Sequence, residues 1–380
     1  MSAADRVRAA VGAVSDPELR RPIGELDMLR DITVERGRAT VGIVLTIVGC
    51  PAADRIESDV RRAAASVDGI AEVDVEVGVM TPAERAALTE KLRDGRPARQ
   101  MPFGPDSLTR IILVSSGKGG VGKSTLTANL AVALAAQGLA VGLVDADVHG
   151  FSIPGLLGIP AGTQPTRIDD LMLPPVAHDV KTVSIGMFLR DGEAVVAWRG
   201  PMLHRTVQQF LTDVFFGDID VLLIDMPPGT GDVAISIGQL LPHAEVLVVT
   251  TPQSAASDVA IRSGLVARQT GQRVIGVVEN MAALTLPDGT IVDLFGSGGG
   301  AEVAAALSQS GDDVPLLASV PLSPALRAGG DAGIPVVLGA PEDAAAQQID
   351  ALARRLARQG RRLPDRSLPI TVTRAAADES

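Results

Sequence analysis

Read for the alternation of its apolar and polar positions, the chain has two textures. In the first, short patterns of different period follow one another. ADRVRAAVGAV (4–14) is helix-like, while DITVE (31–35) and ATVGIVLTI (39–47) are strand-like and joined by the short segment RGR. PAADRIESDVRRAAASV (51–67) opens on proline, favoured in a helix's first turn, and puts Ile56, Val60 and Ala64 on one face. EVDVEVGV (72–79) alternates as a half-buried strand does. These elements predict a small α/β domain over residues 1–90. The helical piece AERAALTEKLRDG (83–95) then leads into RPARQMPFGPDS (96–107), whose three prolines and one glycine mark a linker, bounded here as 91–108.

From residue 109 the period is lost and continuous apolar runs take over: RIILVSS, LAVGLVDAD, KTVSIG, DVLLIDM, EVLVVTT, RVIGVVEN and VPLLASV, separated by helical stretches. Strands that are apolar on both faces and alternate with helices predict a mostly parallel sheet covered on both sides. The expected fold class is therefore α/β, with a doubly wound sheet of seven to eight strands over 109–365. A frayed, disordered tail is expected over 366–380.

Composition narrows the functions available. Aromatic residues are 2% of the chain and tyrosine is absent, so cores are aliphatic and base-stacking platforms are not expected. A net charge of −11 opposes association with nucleic acid backbones and anionic membranes, so neither is expected as a partner. A single cysteine, Cys50, rules out an internal disulfide framework and fits a reducing compartment. With no leader-like N-terminus and no apolar run of about 18 residues, the expected location is cytoplasmic.

The chemistry is concentrated in ILVSSGKGGVGKSTLTANLAVALAAQG. Gly117 to Ser124 fits G-x-x-x-x-G-K-[ST] between a strand and a helix, the setting of a P-loop. Glycines let successive N–H groups converge on phosphate oxygens, and the helix N-terminus adds positive potential. Gly117, Lys118, Gly119, Gly120, Val121, Gly122, Lys123, Ser124 and Thr125 are thus the expected ATP-binding segment. Lys123 serves the outer phosphates and Ser124 serves Mg²⁺. Acidic residues follow two later strands, where α/β sites form. Asp225, in LLIDMPPGTGD, is assigned to Mg²⁺ through water, and Asp147, in LVDADVHG, to orienting the attacking water. Asp145 can assist, Gly229 is a candidate γ-phosphate sensor, and Asn280, closing RVIGVVEN, is a candidate adenine contact.

GKGGVGKST is similar to the deviant P-loop of the division-site, partition and nitrogenase-iron-protein class. That resemblance implies that Lys118 crosses a dimer interface to the partner's nucleotide. GKGGVGKST, DADVHGFSIP, WRGPM, DMPPGTGD, VENM and FGSGGG, in that order over 109 to about 330, resemble the Mrp/ApbC family of iron–sulfur carrier ATPases. SDPEL (15–19) and LTIVGCPAADRI (45–56) resemble the small iron–sulfur-assembly domain that many members carry. The family implies ATP hydrolysis, a homodimer, and delivery of a cluster, usually 4Fe–4S, to iron–sulfur apoproteins or assembly factors. The chain departs from the family where a Cys-x-x-Cys pair is expected: Leu286-Pro287-Asp288-Gly289 stands there, within a predicted hairpin.

Clusters are commonly held by four thiolates, and this chain has one. Cys50 reads either as a small buried apolar side chain or as a thiolate favoured by a helix N-terminus, available for iron–sulfur binding. His149, His178, His204 and His243 show no metal-ligand spacing. Three functions follow: a cluster carrier, a cluster-free ATP switch that binds partner proteins, and a positioning ATPase of the division-site type. The last would use the basic amphipathic segment around Ile349, Leu352 and Leu356, which also reads as a helix covering the sheet. FGSGGGAEVAAAL reads as a tight turn or as a second anion site.

Overall fold

The computed structural model describes residues 1–47, 52–93, 101–147, 150–188, 200–286, 288–309 and 311–359. The first helix, α1 (Ala3–Gly12), starts where Ser2 and Asp5 form a capping box: each side chain accepts the other's backbone N–H. Strands β1 (Leu29–Glu35) and β2 (Arg38–Leu45) pair antiparallel across Arg36–Gly37. Both turn residues have positive φ, 50° and 81°, the two-residue geometry whose twist matches the flanking strands. Helix α2 (Ala53–Ala65) buries Ile56, Val60 and Ala64, the face that the spacing predicts. It carries the chain to β3 (Glu72–Val79), parallel to β2, and α3 (Pro82–Arg93) follows.

The remaining elements are β4 (Arg110–Ser116), α4 (Lys123–Ala136), β5 (Val141–Asp145), α5 (Ile153–Leu156), β6 (Thr166–Ile168), β7 (Leu171–Leu173), β8 (Val176–Ala177), β9 (Val180–Ser184), α6 (Gly200–Asp213), β10 (Val221–Asp225), α7 (Asp232–Leu240), β11 (Glu245–Thr250), α8 (Ser254–Gln269), β12 (Arg273–Ala282), β13 (Leu284–Thr285), β14 (Ile291–Val292), α9 (Gly299–Gln309), β15 (Leu316–Pro321), α10 (Pro324–Ala332), α11 (Val336–Gly339) and α12 (Ala344–Arg358). Eight strands form one sheet in the order β15-β12-β11-β4-β10-β5-β9-β8. All seven apolar runs lie in it and pair parallel; only the short edge strand β8 runs antiparallel, to β9. Every residue of β4, β5, β9 and β10 is buried, because helices cover both faces.

Two packing arrangements bear on function. Ile349, Leu352 and Leu356 of α12 are buried in the same core as α4. The stripe that resembles a surface-binding helix is therefore spent on covering the sheet; Arg361 and Arg362 beyond it lie outside the described residues. The hairpin β6–β7 inserts Ile168, Leu171 and Leu173 into the core of the small N-terminal sheet, beside residues such as Ile23 and Leu26. Around that contact Arg93 pairs with Asp170, the Thr166 hydroxyl donates to Glu18 at 3.2 Å, and the Arg20 guanidinium donates to the Asp179 carbonyl. Among the described residues no helix is long and apolar enough to cross a membrane.

Candidate functional site

The segment Gly117–Ser124 turns out of the central strand β4 into α4. Gly120 and Gly122 have φ of 81° and 77°, a region that glycine enters without steric penalty. Gly117 and Gly122 are also demanded by space. A Cβ on Gly117 would lie 2.2 Å from the Val259 carbonyl carbon, and one on Gly122 would lie 2.3 Å from the Asn280 amide nitrogen. The loop is thus seated between α8 and the end of β12. Asn280 is buried and donates its Nδ2 to the Val121 carbonyl at 2.9 Å. One of its two N–H groups is thus committed to the loop, which leaves the other and Oδ1 for an adenine contact.

Behind the loop is a buried polar knot. Lys123 Nζ lies 2.7 Å from Asp225 Oδ1, with the two side chains 5% and 0% exposed. Ser124 Oγ donates to Asp225 Oδ2 at 2.6 Å. Thr127 Oγ1 lies 2.9 Å from Asp225 Oδ1 and 2.8 Å from the Lys123 carbonyl, its one proton serving either. Burial pushes the Asp225 carboxyl above the usual carboxylate range, and the Lys123 ammonium opposes that. Parallel register sets Asp225 directly beside Asp145. Burial, then the Asp225 charge, push Asp145 up to about 7, while a hydrogen bond from Ser184 Oγ at 3.0 Å works the other way.

Asp145 organises the loop that follows it. Its Oδ1 accepts the Asp147 N–H at 3.2 Å and its Oδ2 accepts the Ile153 N–H at 3.3 Å. Asp147 is buried and accepts the Gly150 N–H at 3.1 Å. Phe151 is half-exposed, and a Cβ on Gly186 would lie 2.4 Å from its ring, so the ring rests on that glycine. Across the P-loop, the Gly229 N–H donates to the Ser116 carbonyl at 2.8 Å. Lys118 is half-buried and donates to Gln253 Oε1 at 3.2 Å, on the residue that caps α8. The Thr125 carbonyl accepts the Asn129 side-chain amide at 2.9 Å.

The structure thus brings together Gly117–Ser124, Asp225, Asp145 and Asn280, and it adds Thr127, Ser184 and Gln253, which sequence reading does not single out. Thr127 stands four residues after Lys123, one helical turn along the same face. Ser184 ends the strand paired with Asp145, a neighbour visible only once the register is known. The donors suit a hard cation: Mg²⁺ is held by one or two carboxylates, hydroxyls and water together with phosphate oxygens, and Ser124 and Asp225 supply such a pair.

The segment replacing Cys-x-x-Cys is a hairpin. Leu284 pairs with Val292 and Thr285 with Ile291. The Leu286 N–H donates to the Thr290 carbonyl at 2.8 Å, and Asp288 accepts the Thr290 N–H at 2.9 Å; Pro287 lies outside the described residues. Cys50 and His149 also lie outside them. Among the described residues no three His, Cys, Asp or Glu side chains are grouped to hold a metal. In the glycine run before α9, the buried Glu279 carboxylate accepts the Gly300 N–H at 2.8 Å. The anion at that helix start is the chain's own, which favours the tight-turn reading of FGSGGG.

A family model described as NUBPL iron-transfer P-loop NTPase matches residues 107–357, and one described as iron-sulfur cluster assembly protein matches residues 4–77. The chain is 53% identical over 371 residues to the iron-sulfur cluster carrier protein of Mycobacterium tuberculosis, covering 97% of each. Among solved structures it is similar to the nucleotide-binding protein of Archaeoglobus fulgidus in complex with ADP, at 35% identity and a TM-score of 0.50, covering 59% of this chain and 86% of that one. It is also similar to the septum site-determining protein MinD of Pyrococcus horikoshii complexed with Mg-ADP, at 28% identity and a TM-score of 0.51, covering 65% and 96%.

Proposed function

The chain belongs to the iron-transfer P-loop NTPases, the family of iron-sulfur cluster carrier proteins, and on that premise we propose that it is a cytoplasmic homodimeric ATPase that delivers iron–sulfur clusters to apoproteins. The observation that carries the ATPase part is the buried Lys123–Asp225–Ser124 knot beneath a glycine-built loop. Loop N–H groups and Lys123 receive the phosphates, Lys123 exchanging its Asp225 contact for them. Ser124 and, through water, Asp225 would hold Mg²⁺, and the ion would supply charge neutralisation at the phosphate oxygens. Asp147 orients the attacking water, and Asp145 holds the loop that carries it. Gly229 senses the γ-phosphate by giving up its bond to Ser116. Lys118 leaves Gln253 to reach the partner's nucleotide. A dimer is further supported by exposed apolar side chains in the segments that follow the carboxyl ends of the strands: Phe151, Leu286 and Leu294, with Ile235 on α7 and Ile291 on β14. Turnover assays test this: Asp147→Ala should bind ATP and not hydrolyse it, and Lys118→Ala should lose dimer-dependent hydrolysis. Wild-type kinetics in both would remove the mechanism.

The cluster is cargo, and one cysteine per chain limits how it is held. A dimer supplies two thiolates, so a client or small thiols must complete a four-thiolate set. The missing Cys-x-x-Cys also favours a second reading, an ATP-driven switch whose partners hold all the metal. Anaerobic reconstitution, with iron and sulfide assayed per dimer, separates the two. Iron and sulfide that survive desalting and vanish in Cys50→Ala support the carrier; none retained in either protein supports the switch.

A further inference from the structure

A cavity of about 410 Å³ opens where the small N-terminal sheet meets the central sheet. Four cationic side chains line it, Arg20, Arg21, Arg93 and Lys181, against one acid, Asp218. That balance inverts the chain's own, which has 45 acidic to 34 basic residues. Both parts of the molecule contribute: the arginines come from the SDPELRR loop and the end of α3, the lysine from β9.

Lys181 is the most unusual of the four. Its side chain is 1% exposed, yet it belongs to the cavity wall. Its Nζ donates to the Phe216 carbonyl at 2.9 Å and lies 5.3 Å from the centre of the Phe215 ring. A buried ammonium whose hydrogen bond goes to a backbone carbonyl rather than to a carboxylate is costly to keep, and a perturbed charge beside a cavity is a candidate ligand contact. Arg20 is held at φ 55°, a strained setting for a non-glycine residue. Arg21 makes only a 3.5 Å contact with the exposed Glu25 and remains available to a ligand.

The wall between these charges is aromatic. Phe103, Phe215 and Phe216 are three of the seven phenylalanines in a chain that has no tyrosine. An apolar aromatic wall with cationic side chains among its lining suits one class of ligand. We propose that this cavity binds a small organic anion in which a carboxylate or phosphate is joined to an apolar body. The proposal is independent of the nucleotide site, whose residues it does not use.

The test uses the full-length chain with Mg-ADP in excess, so that the P-loop is saturated. Benzoate and phenyl phosphate are titrated by calorimetry, with inorganic phosphate and benzyl alcohol as probes carrying only the charge or only the ring. At least one of the first two should bind saturably and about tenfold or more tighter than either half-probe, and which one binds identifies the headgroup. Lys181→Met and Arg21→Glu should each weaken that binding by about tenfold, the scale of one lost charge-assisted hydrogen bond, with ADP affinity unchanged. Arg21→Glu lies on the surface and keeps the test valid if Lys181→Met folds poorly. No saturable binding of either aromatic anion, or binding that both variants leave unchanged, would overturn the proposal.

Discussion

At the scale of single residues, the Lys123–Asp225 pair carries both chemistry and stability. The carboxylate is fully buried and the lysine nearly so, and removing one partner of such a pair costs about 3–5 kcal/mol, because the other charge is stranded. Lys123→Ala should therefore abolish ATP binding and also lower the stability of the nucleotide-free protein by about 3 kcal/mol, read by urea unfolding. A variant that loses ATP but unfolds like wild type would mean that the pair is solvated. Gly122 gives a sharper geometric test. Gly122→Ala places a methyl 2.3 Å from the Asn280 amide nitrogen, at a φ of 77°. It should weaken nucleotide binding by about tenfold or more, since strain of this kind costs about 1–3 kcal/mol. Adding Asn280→Ala should recover the steric part of the stability that Gly122→Ala loses in the nucleotide-free protein, read by urea unfolding, and a double variant no more stable than the single would locate the whole penalty in the backbone. The P-loop was legible in the sequence because phosphate chemistry fixes residue type and spacing together. Thr127 and Ser184 were not, because a threonine in a helix and a serine ending a strand have many bland uses. What gives them meaning is a carboxylate brought near by the fold.

At the scale of elements, the seven strands of the central sheet could be read directly, since burial on both faces leaves an unbroken apolar run. The eighth, β8, is two residues long and offers no period to read. The hairpin β6–β7 escaped for a related reason: each strand has three residues, and its apolar side chains serve a core distant in sequence. That sharing makes a prediction. Leu173 is 1% exposed in the small sheet's core, and a large-to-small change there costs about 2–5 kcal/mol. Leu173→Ala should lower hydrogen-exchange protection in β1, β2 and β3 while leaving protection in β4 and β10 nearly unchanged. If protection falls only in the central sheet, the hairpin belongs energetically to that sheet. The hairpin follows in sequence the loop held by Asp145, so the same element lies between the nucleotide side of the molecule and its small sheet.

At the scale of the whole molecule, the junction between the two sheets should leave a signature in pH. Lys181 has its pKa lowered from 10.5 to about 8 by burial first and by the nearby Arg20 charge next, with Asp16, Glu18 and Asp218 opposing. Unfolding returns the lysine to water and to its ordinary value. Between about pH 8 and 10.5 the unfolded chain therefore binds more protons than the folded one. Stability rises with pH wherever that holds. Below pH 8 both states are protonated and the lysine costs the fold a constant amount, about 3 kcal/mol from the two pKa values. Replacing it with methionine, similar in length and uncharged, removes that cost. The difference in unfolding free energy between Lys181→Met and wild type should favour the variant at pH 7 and shrink steadily towards pH 10, measured by urea unfolding in a buffer series. Taking the difference cancels the contributions common to both proteins. A difference that stays flat over that range would mean that Lys181 is solvated in the folded protein, and the junction would then lack the buried charge that makes it unlike the rest of an acidic chain.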